Sequence, residues 1–388
     1  MAYPARTDPP DRERASAVPD REWLPMRILT RAQLLRYVHD KHALFDAAAA
    51  RGNPFACSAW VLNFIEQIAA DDWHYYVAED SSQGEACLVL YSERGSPHRR
   101  LALTNYYASL YTPLIGAAVD RAASLTAIAA DLTRARPGCA AINLAPLAPE
   151  DDDTAALGRA FSSQGWYVKR YFCFGNWHLP CAGLSFADYM ARRESRVRHT
   201  WSRKVKKFSR PDSLARIRIV TAPDETEAAM DAYEQVYARS WKPREPYPEF
   251  IRRWARVCAQ NGWLRLGLAS VADVPIAAQF WFTMQRRAYI FKLAYADDYA
   301  HWSAGTVLTA HLIEHSLEHD QVTAIDYLSG DDPYKKAWMS GRRERVGLIA
   351  CNLRSPRGVL IAAYEYAGAL RRRWRRLGVD PAAAPDLV

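Results

Sequence analysis

The sequence predicts a mixed α/β fold made of two similar halves joined by a basic helix. The chain has 388 residues, which is long for one domain and sufficient for two. Hydrophobic residues make up 49% and charged residues 24%, the composition of a globular protein with a large core. The predicted helices and strands follow the same order in both halves, and a run of Arg and Lys separates them.

In the first half, a short extended segment at Ile28 precedes predicted helices over 30–48 and 58–70. Strands are predicted at 73–79, 85–92 and 99–104. The half continues with a helix over 116–135, a strand at 139–144, a helix over 151–163 and a strand at 166–174. Pro137-Gly138 marks the end of the first of these helices.

The second half gives the same order. A strand at 216–221 precedes helices over 224–240 and 247–260. Strands at 263–270, 275–285 and 287–295 lead to a helix over 305–319, a strand at 322–328, a helix over 332–340 and a strand at 344–351. We therefore predict two domains, 26–180 and 212–352, with a disordered lead over 1–25 and a C-terminal helix and tail over 353–388.

Charge is concentrated between the halves. The net charge of the chain is +8, and residues 192–210 alone carry nine basic side chains and one acid. The apolar residues of this segment share one face of a predicted linker helix over 185–210. The basic face is either solvated or binds an anion, with Arg196, Arg198, Arg203 and Lys204 as candidate ligands. A localised charge of this kind implies an anionic partner without identifying it.

Several classes of protein are excluded at this level. The N-terminal segment has no apolar core of a signal peptide, and no apolar stretch reaches the roughly 20 residues that a bilayer requires. The seven cysteines are scattered and form no CxxC. We expect a cytoplasmic protein with reduced cysteines and no metal site. The histidines His311, His315 and His319 share one helical face, but their row spans about 12 Å, too far for one ion.

Four segments resemble a known family. The stretch Phe186–Phe208 (FADYMARRESRVRHTWSRKVKKF) resembles the hallmark of the GNAT-type acetyltransferases associated with cellulose biosynthesis, which are related to the FemABX peptidyltransferases. AYADDYAHWSAGTVLTAHLIEHSLEHD, IDYLSGDDPYKKAW and NPFACSAWVLNF are similar to later and earlier segments of that family. The resemblance implies two tandem GNAT-like domains and transfer of an acyl group.

The resemblance also implies a donor site at Ser303, Ala304, Gly305 and Thr306. These residues form a turn between a predicted strand and helix, and a helix N-terminus offers free N–H groups to phosphate. In GNAT enzymes this turn holds the pantetheine and phosphates of acyl-CoA. The usual motif is Q/R-x-x-G-x-G/A, of which only Gly305 is present; an ordinary cap by Ser303 is the alternative. The first half has no comparable turn, so we expect only the second half to bind the cofactor.

Lys335 and Asp326 are the candidate catalytic residues. Lys335 lies in the first turn of a helix that Pro333 begins, where a cation opposes the helix dipole. By resemblance it would stabilise an oxyanion or hold phosphate, and a solvated surface lysine is the alternative. Asp326 at a strand end is a candidate base acting through water, with Asp297 and Asp298 as rivals.

Two aromatic loops are candidates for binding the acceptor. A loop with three prolines between two predicted helices contains Trp241, Arg244 and Tyr247. A similar loop in the first half contains Tyr107 and Tyr111. Together they would wall a cleft between the halves, where ligands commonly bind; a structured surface loop is the alternative.

The sequence therefore predicts an N-acyltransferase that moves an acyl group from acyl-CoA directly to an amine of a sugar, an amino acid or an envelope precursor. One alternative is a FemABX-like transferase that uses aminoacyl-tRNA, with the basic helix on the tRNA phosphates. The other is a non-catalytic GNAT-like module of polysaccharide or envelope assembly, docked through the basic helix to an anionic membrane or polymer.

Overall fold

The computed structural model describes residues 26–80, 85–117, 119–135 and 138–376, with side chains through 368. The disordered lead predicted over 1–25 and the last residues of the predicted tail lie outside this description. Within it, no helix is long and apolar enough to cross a membrane.

The first half contains the predicted elements and one more. Its strands are β1 (Arg27–Leu29), β2 (His74–Asp80), β3 (Ala86–Ser92), β4 (Arg99–Ala102), β5 (Leu114–Ile115), β6 (Ala141–Leu147) and β7 (Trp166–Pro180). Its helices are α1 (Arg31–Asp40), α2 (His42–Ala50), α3 (Ser58–Gln67), α4 (Arg121–Arg134) and α5 (Asp152–Ser163). The helix predicted over 30–48 is divided at Lys41, whose N–H closes the last turn of α1. The strand β5 was not predicted, because two residues are too few to show the alternation of apolar and polar side chains that is typical of a strand.

The predicted linker helix is also two helices, α6 (Phe186–Ala191) and α7 (Ser195–Phe208). The hydroxyl of Ser185 accepts from the N–H of Asp188 and caps α6. The N–H of Arg192 bonds back to the carbonyls of the last turn, which ends α6 before the basic run continues as α7.

The second half repeats the first. It comprises β8 (Ala215–Val220), α8 (Thr226–Ala238), α9 (Pro248–Gln260), β9 (Leu264–Val271), β10 (Val274–Met284), β11 (Arg287–Tyr295), α10 (Ala304–Glu318), β12 (Ala324–Asp326), α11 (Pro333–Trp338) and β13 (Gly341–Asn352). A C-terminal helix, α12 (Pro356–Arg376), follows. The mixed α/β fold class is confirmed.

All the described strands belong to one sheet, and the last strands of the halves are exchanged. The sheet runs β1-β2-β3-β4-β6-β13-β7-β12-β11-β10-β9-β8, with β5 beside β3. β13, at the end of the second half, pairs with β6 of the first. β7, at the end of the first half, pairs with β12 of the second. β7 and β13 pair with each other at the centre of the sheet. The boundaries 26–180 and 212–352 stay predictions, since the pairing crosses them.

Each half contains one parallel pair of strands, and the two pairs differ in what lies beyond them. β11 and β12 pair over only three residues, 287–289 with 324–326. The remainder of β11 runs on without a partner on that side, which opens a wedge in the sheet. In the first half, β4 and β6 also pair over three residues. There the following loop closes the wedge, since the N–H of Tyr111 donates to the carbonyl of Pro146 at 2.6 Å.

The halves also pack through a shared aromatic core. Trp60 on α3 meets Phe250 and Trp254 on α9 edge-on, with ring centroids 4.9 Å apart in both pairs. Asn63 Nδ2 donates to the carbonyl of Phe250 at 3.0 Å. Trp60 and Trp254 are fully buried. These contacts hold the loops that follow β4 and α8 against each other.

Candidate functional site

A cavity of about 330 Å³ lies in the open wedge between β11 and β12. The unpaired part of β11 and the loop after β12 form two of its walls. Tyr106 and Tyr107, from the loop after β4, form the third wall. The cavity therefore lies between the halves, and three lysines line it: Lys242, Lys292 and Lys335.

Lys335 is buried and fully engaged by its own loop. Its Nζ donates to the carbonyl of Ser329 at 2.6 Å and to that of Gly330 at 3.3 Å, and it pairs with Asp332 at 2.9 Å. An ammonium has three N–H donors, so none is left over. The loop that it holds contains Leu328 and Gly330 with φ of 58° and 99°. These contacts favour a role in shaping the cavity floor over direct contact with phosphate or an oxyanion.

Lys292 belongs to a network that joins the halves. Its Nζ lies 2.8 Å from Oε2 of Glu245, and both side chains are mostly buried. The hydroxyl of Tyr107 donates to Oε1 of the same carboxylate. Burial lowers the pKa of Lys292, while the adjacent carboxylate acts against that shift. Burial and Glu245 together raise the pKa of Tyr107, so this phenol stays protonated.

Lys242 is different, because its ammonium has no ion pair or hydrogen bond among the described residues. Two aromatic rings lie near it, with the centroid of Trp241 at 5.7 Å and that of Tyr237 at 6.0 Å. Burial, reinforced by the charge of Lys292, lowers its pKa to about 8. Lys242 also lines a second cavity of about 530 Å³, together with the carboxylates of Glu234 and Glu249. A partly deprotonated amine thus lies where two cavities meet.

The predicted phosphate turn begins α10. Ser303 has φ of 51° and its side chain makes no capping bond, so the alternative of a serine cap is not what the structure shows. A Cβ on Gly305 would meet only Tyr295, at 3.6 Å. The equivalent helix of the first half, α4, is capped by the carboxylate of Asp120, which accepts two N–H groups. Of these two equivalent N-termini, only that of α10 is open to an anion.

The basic helix α7 lies beside this turn. Lys204 Nζ donates to the carbonyl of His301 at 2.5 Å, and Lys207 Nζ lies 3.6 Å from the ring centroid of Trp302. The candidates Arg196, Arg198 and Arg203 are exposed. Among the described residues, no ion pair involves any basic side chain of 192–210. The linker between the halves thus carries basic side chains that form no ion pair with the described residues.

Asp326 lies outside the cavity lining and is fully hydrogen-bonded. Its Oδ1 accepts from Asn176 Nδ2 at 2.6 Å and from the N–H of Leu328 at 2.7 Å. Its Oδ2 accepts from Arg343 at 2.5 Å. Asn176 and Arg343 come from the two exchanged strands, so the carboxylate fixes the end of β12 between them. The contacts favour this structural role over that of a base.

The predicted acceptor residues separate into two groups. Arg244 lines the second cavity and Tyr107 lines the first. Trp241 lies against Tyr295 with tilted rings and centroids 4.5 Å apart, and Tyr247 packs edge-on against Tyr107 at 6.3 Å. Trp241 and Tyr247 are not part of the lining of either cavity. Tyr111 instead is buried in the core of the first half.

The sequence analysis missed Lys242, Glu245 and Lys292. The signal for Lys292 is a single charged residue within the apolar strand segment YIFKLAY. Lys242 and Glu245 each precede a proline in a loop that was singled out only for its aromatic residues and its arginine. Within the described ranges, no group of three or more His, Cys, Asp and Glu side chains could hold a metal ion.

A family model for the acetyltransferase (GNAT) domain matches residues 195–336, from the start of α7 through most of α11. This part of the chain is similar to GNAT acetyltransferase domains. The match supports an acyltransferase, and the wedge between β11 and β12 lies within the matched residues.

Solved structures share the fold over most of the chain. FemX has a TM-score of 0.56 at 11% identity, covering 87% of this chain and 100% of its own. The C-terminal DUF2156 domain of a protein assigned as a lysylphosphatidylglycerol synthetase, from Agrobacterium fabrum, has a TM-score of 0.51 at 11% identity, covering 84% and 96%. A protein of unknown function from Bacteroides thetaiotaomicron has a TM-score of 0.50 at 11% identity, covering 76% and 89%. No curated protein matches the sequence.

Proposed function

We propose that this GNAT-type protein is an N-acyltransferase that uses acyl-CoA and passes the acyl group directly to a primary amine. The observation that carries the proposal is the wedge cavity between β11 and β12, next to the uncapped start of α10. The corresponding wedge of the first half is closed by its own loop, and the helix after it is capped by an acid. The second half alone thus has room for a donor.

The donor would lie along the unpaired edge of β11. Its pyrophosphate would bind the free N–H groups at the start of α10, where Gly305 leaves the backbone accessible. Lys204 and Lys207 extend the positive potential of that end. The extended pantetheine arm could hydrogen-bond to the free backbone groups of residues 290–295 and bring the thioester into the cavity. Lys335 would hold the loop against which the acyl group rests.

The acceptor would enter from the second cavity. An ammonium is attracted there by Glu249, and its way to the thioester passes Lys242. Neutral Lys242 takes one proton from the ammonium, the freed amine attacks the thioester carbon, and the C–N bond forms as the C–S bond breaks. The second amine proton leaves with the sulfur as the thiol of CoA. A lysine with a pKa near 8 suits this task at neutral pH.

The acceptor class follows from the walls of the second cavity only in part. Its size and its tyrosines suit an amine on a sugar, an amino acid or an envelope precursor, and a cytoplasmic site of action remains part of the proposal. Aminoacyl-tRNA is the second candidate donor, favoured by the exposed and unpaired arginines of α7. The cellulose-biosynthesis assignment and the non-catalytic module remain proposals that activity data would decide.

Calorimetric titration with CoA and with an aminoacyl-tRNA tests the donor. We expect CoA to bind the wild type and Gly305→Val to weaken it at least about tenfold, because the side chain shields the N–H groups. Gly158→Val on α5 is the matched control, since Gly158 also has open space around its Cβ position. Equal CoA affinity for both variants would place the donor elsewhere. Binding of aminoacyl-tRNA without CoA would favour the second donor.

Release of free CoA thiol from acetyl-CoA, measured across a panel of primary amines, tests the chemistry. Lys242→Met should abolish turnover while CoA affinity is kept, because the residue serves the acceptor and not the phosphates. Lys336→Met, on the neighbouring exposed surface, is the control and should be fully active. Full activity of Lys242→Met would refute the assigned proton acceptor and leave the donor site standing.

A further inference from the structure

The C-terminal helix α12 presents a broad apolar surface on which none of the described residues packs. Leu360 is 70% exposed, Tyr364 77% and Tyr366 61%. Val359 is 45% exposed. Large apolar side chains so exposed and so close together are unusual on a protein that stays free in water.

The opposite side of α12 is fixed to the sheet. A Cβ on Gly358 would lie 2.1 Å from the carbonyl oxygen of Asn352, so only glycine allows this approach. Ala362 is buried one turn later. Glu365 Oε2 then pairs with Lys169 Nζ on β7 at 2.7 Å. These contacts determine which face of the helix points outward.

Over residues 356–368, whose side chains are described, the outward face is apolar. Successive residues of an α-helix are rotated by about 100°. The exposed residues of α12 that lie within an arc of roughly 160°, opposite the buried side, are all apolar or aromatic. They are Val359, Leu360, Ala363, Tyr364, Tyr366 and Ala367.

The same helix is strongly basic at its end. Residues 354–376 contain seven arginines and one acid, Glu365, which is already paired. Five of the arginines fall within 371–376, where the backbone is still helical. An apolar face with leucine and tyrosine on a helix rich in arginine is typical of helices that lie in the interface of an anionic membrane.

We propose that α12 docks this protein on an anionic lipid bilayer. The apolar arc would enter the boundary between headgroups and acyl chains, and the arginines would meet the lipid phosphates. A second copy of the chain is a poorer occupant, because it would bring an equally basic helix against this one. The site is separate from the basic helix α7 and from the acyl-transfer cavity.

Flotation of the full chain with vesicles tests the proposal. Wild type should float with vesicles of equal parts phosphatidylcholine and phosphatidylglycerol, and not with phosphatidylcholine alone. Leu360→Glu combined with Tyr364→Glu should lower the bound fraction at least about tenfold, because two charges would enter the apolar boundary. The matched control is Leu214→Glu, which changes a 63% exposed leucine outside α12 and should float like wild type.

Three results would overturn the proposal. One is unchanged flotation of the α12 double variant. Another is loss of flotation when Arg196, Arg198 and Arg203 on α7 are changed to Gln while α12 is intact. The third is a dimer in sedimentation that the α12 variant dissociates without any effect on vesicle binding, which would make the second copy the occupant. Circular dichroism melts identify any variant that fails to fold.

Discussion

Replacing Lys242 by Met should stabilise the protein, although we propose that this residue is needed for turnover. Burial and the charge of Lys292 lower the pKa of Lys242 from its ordinary 10.5 to about 8. At about 1.4 kcal/mol per pKa unit, the buried ammonium costs the folded state about 3 kcal/mol. Methionine is of similar length and removes that cost, so at neutral pH the variant should gain about 2–3 kcal/mol in free energy of unfolding.

The difference in stability between wild type and Lys242→Met should depend on pH. The unfolded chain binds the proton of Lys242 more tightly than the folded chain, so wild-type stability rises between about pH 8 and pH 10.5 as the proton is lost. The gain in free energy of unfolding from Lys242→Met should be complete below about pH 8 and should disappear by about pH 10.5. Urea unfolding followed by tryptophan fluorescence, at both ends of that window, measures the difference.

Lys292→Met is the matched control, because it removes a lysine from the same cavity that does have a partner. It would leave the buried carboxylate of Glu245 without its cation and should destabilise the protein by about 3 kcal/mol at neutral pH. Opposite signs for the two variants would support the assignment of the paired and the unpaired lysine. Destabilisation by Lys242→Met, or a gain that persists at high pH, would refute the reasoning.

Three further changes have definite expected outcomes. Asp326→Ala should cost about 3 kcal/mol in urea unfolding, because it removes the carboxylate that joins Arg343 and Asn176 to the end of β12; if activity falls while stability is kept, Asp326 is a base after all. Gly358→Ala should speed hydrogen exchange in α12 and leave the remainder of the sheet protected, since its Cβ collides with the carbonyl of Asn352. Trp60→Ala should cost about 3–5 kcal/mol by urea unfolding, because it empties the aromatic core between α3 and α9.

Periodicity was sufficient to predict the order of elements but not the pairing of the strands. The predicted strands at 166–174 and 344–351 correspond to β7 and β13, and either could have closed the sheet of its own half. Which partner a strand takes depends on contacts far apart in the sequence, which a local pattern does not contain. The length of β7 was underestimated for the same reason, since its second part pairs with β12 across the exchange.

The start of α10 was predictable because it depends on local geometry. The helix begins at Ala304, where the sequence placed the turn, while donor binding at Gly305 stays a prediction. Lys335 was predicted to be in the site, but its three donors are used by two backbone carbonyls of its own loop and the carboxylate of Asp332. Lys242 gave no signal, because its lowered pKa arises from burial by side chains from other elements. The sequence did not show which lysine is paired.

The exchange of β7 and β13 has a consequence for how the chain can be made. During synthesis, residues up to 180 can form β1 to β6, but β6 lacks its neighbour on one side until residue 352 has left the ribosome. β7 meanwhile has an exposed edge on each side and must wait for both β12 and β13. A product truncated between the halves would therefore carry open strand edges that invite aggregation. Any expression design that separates the halves cuts through the centre of the sheet.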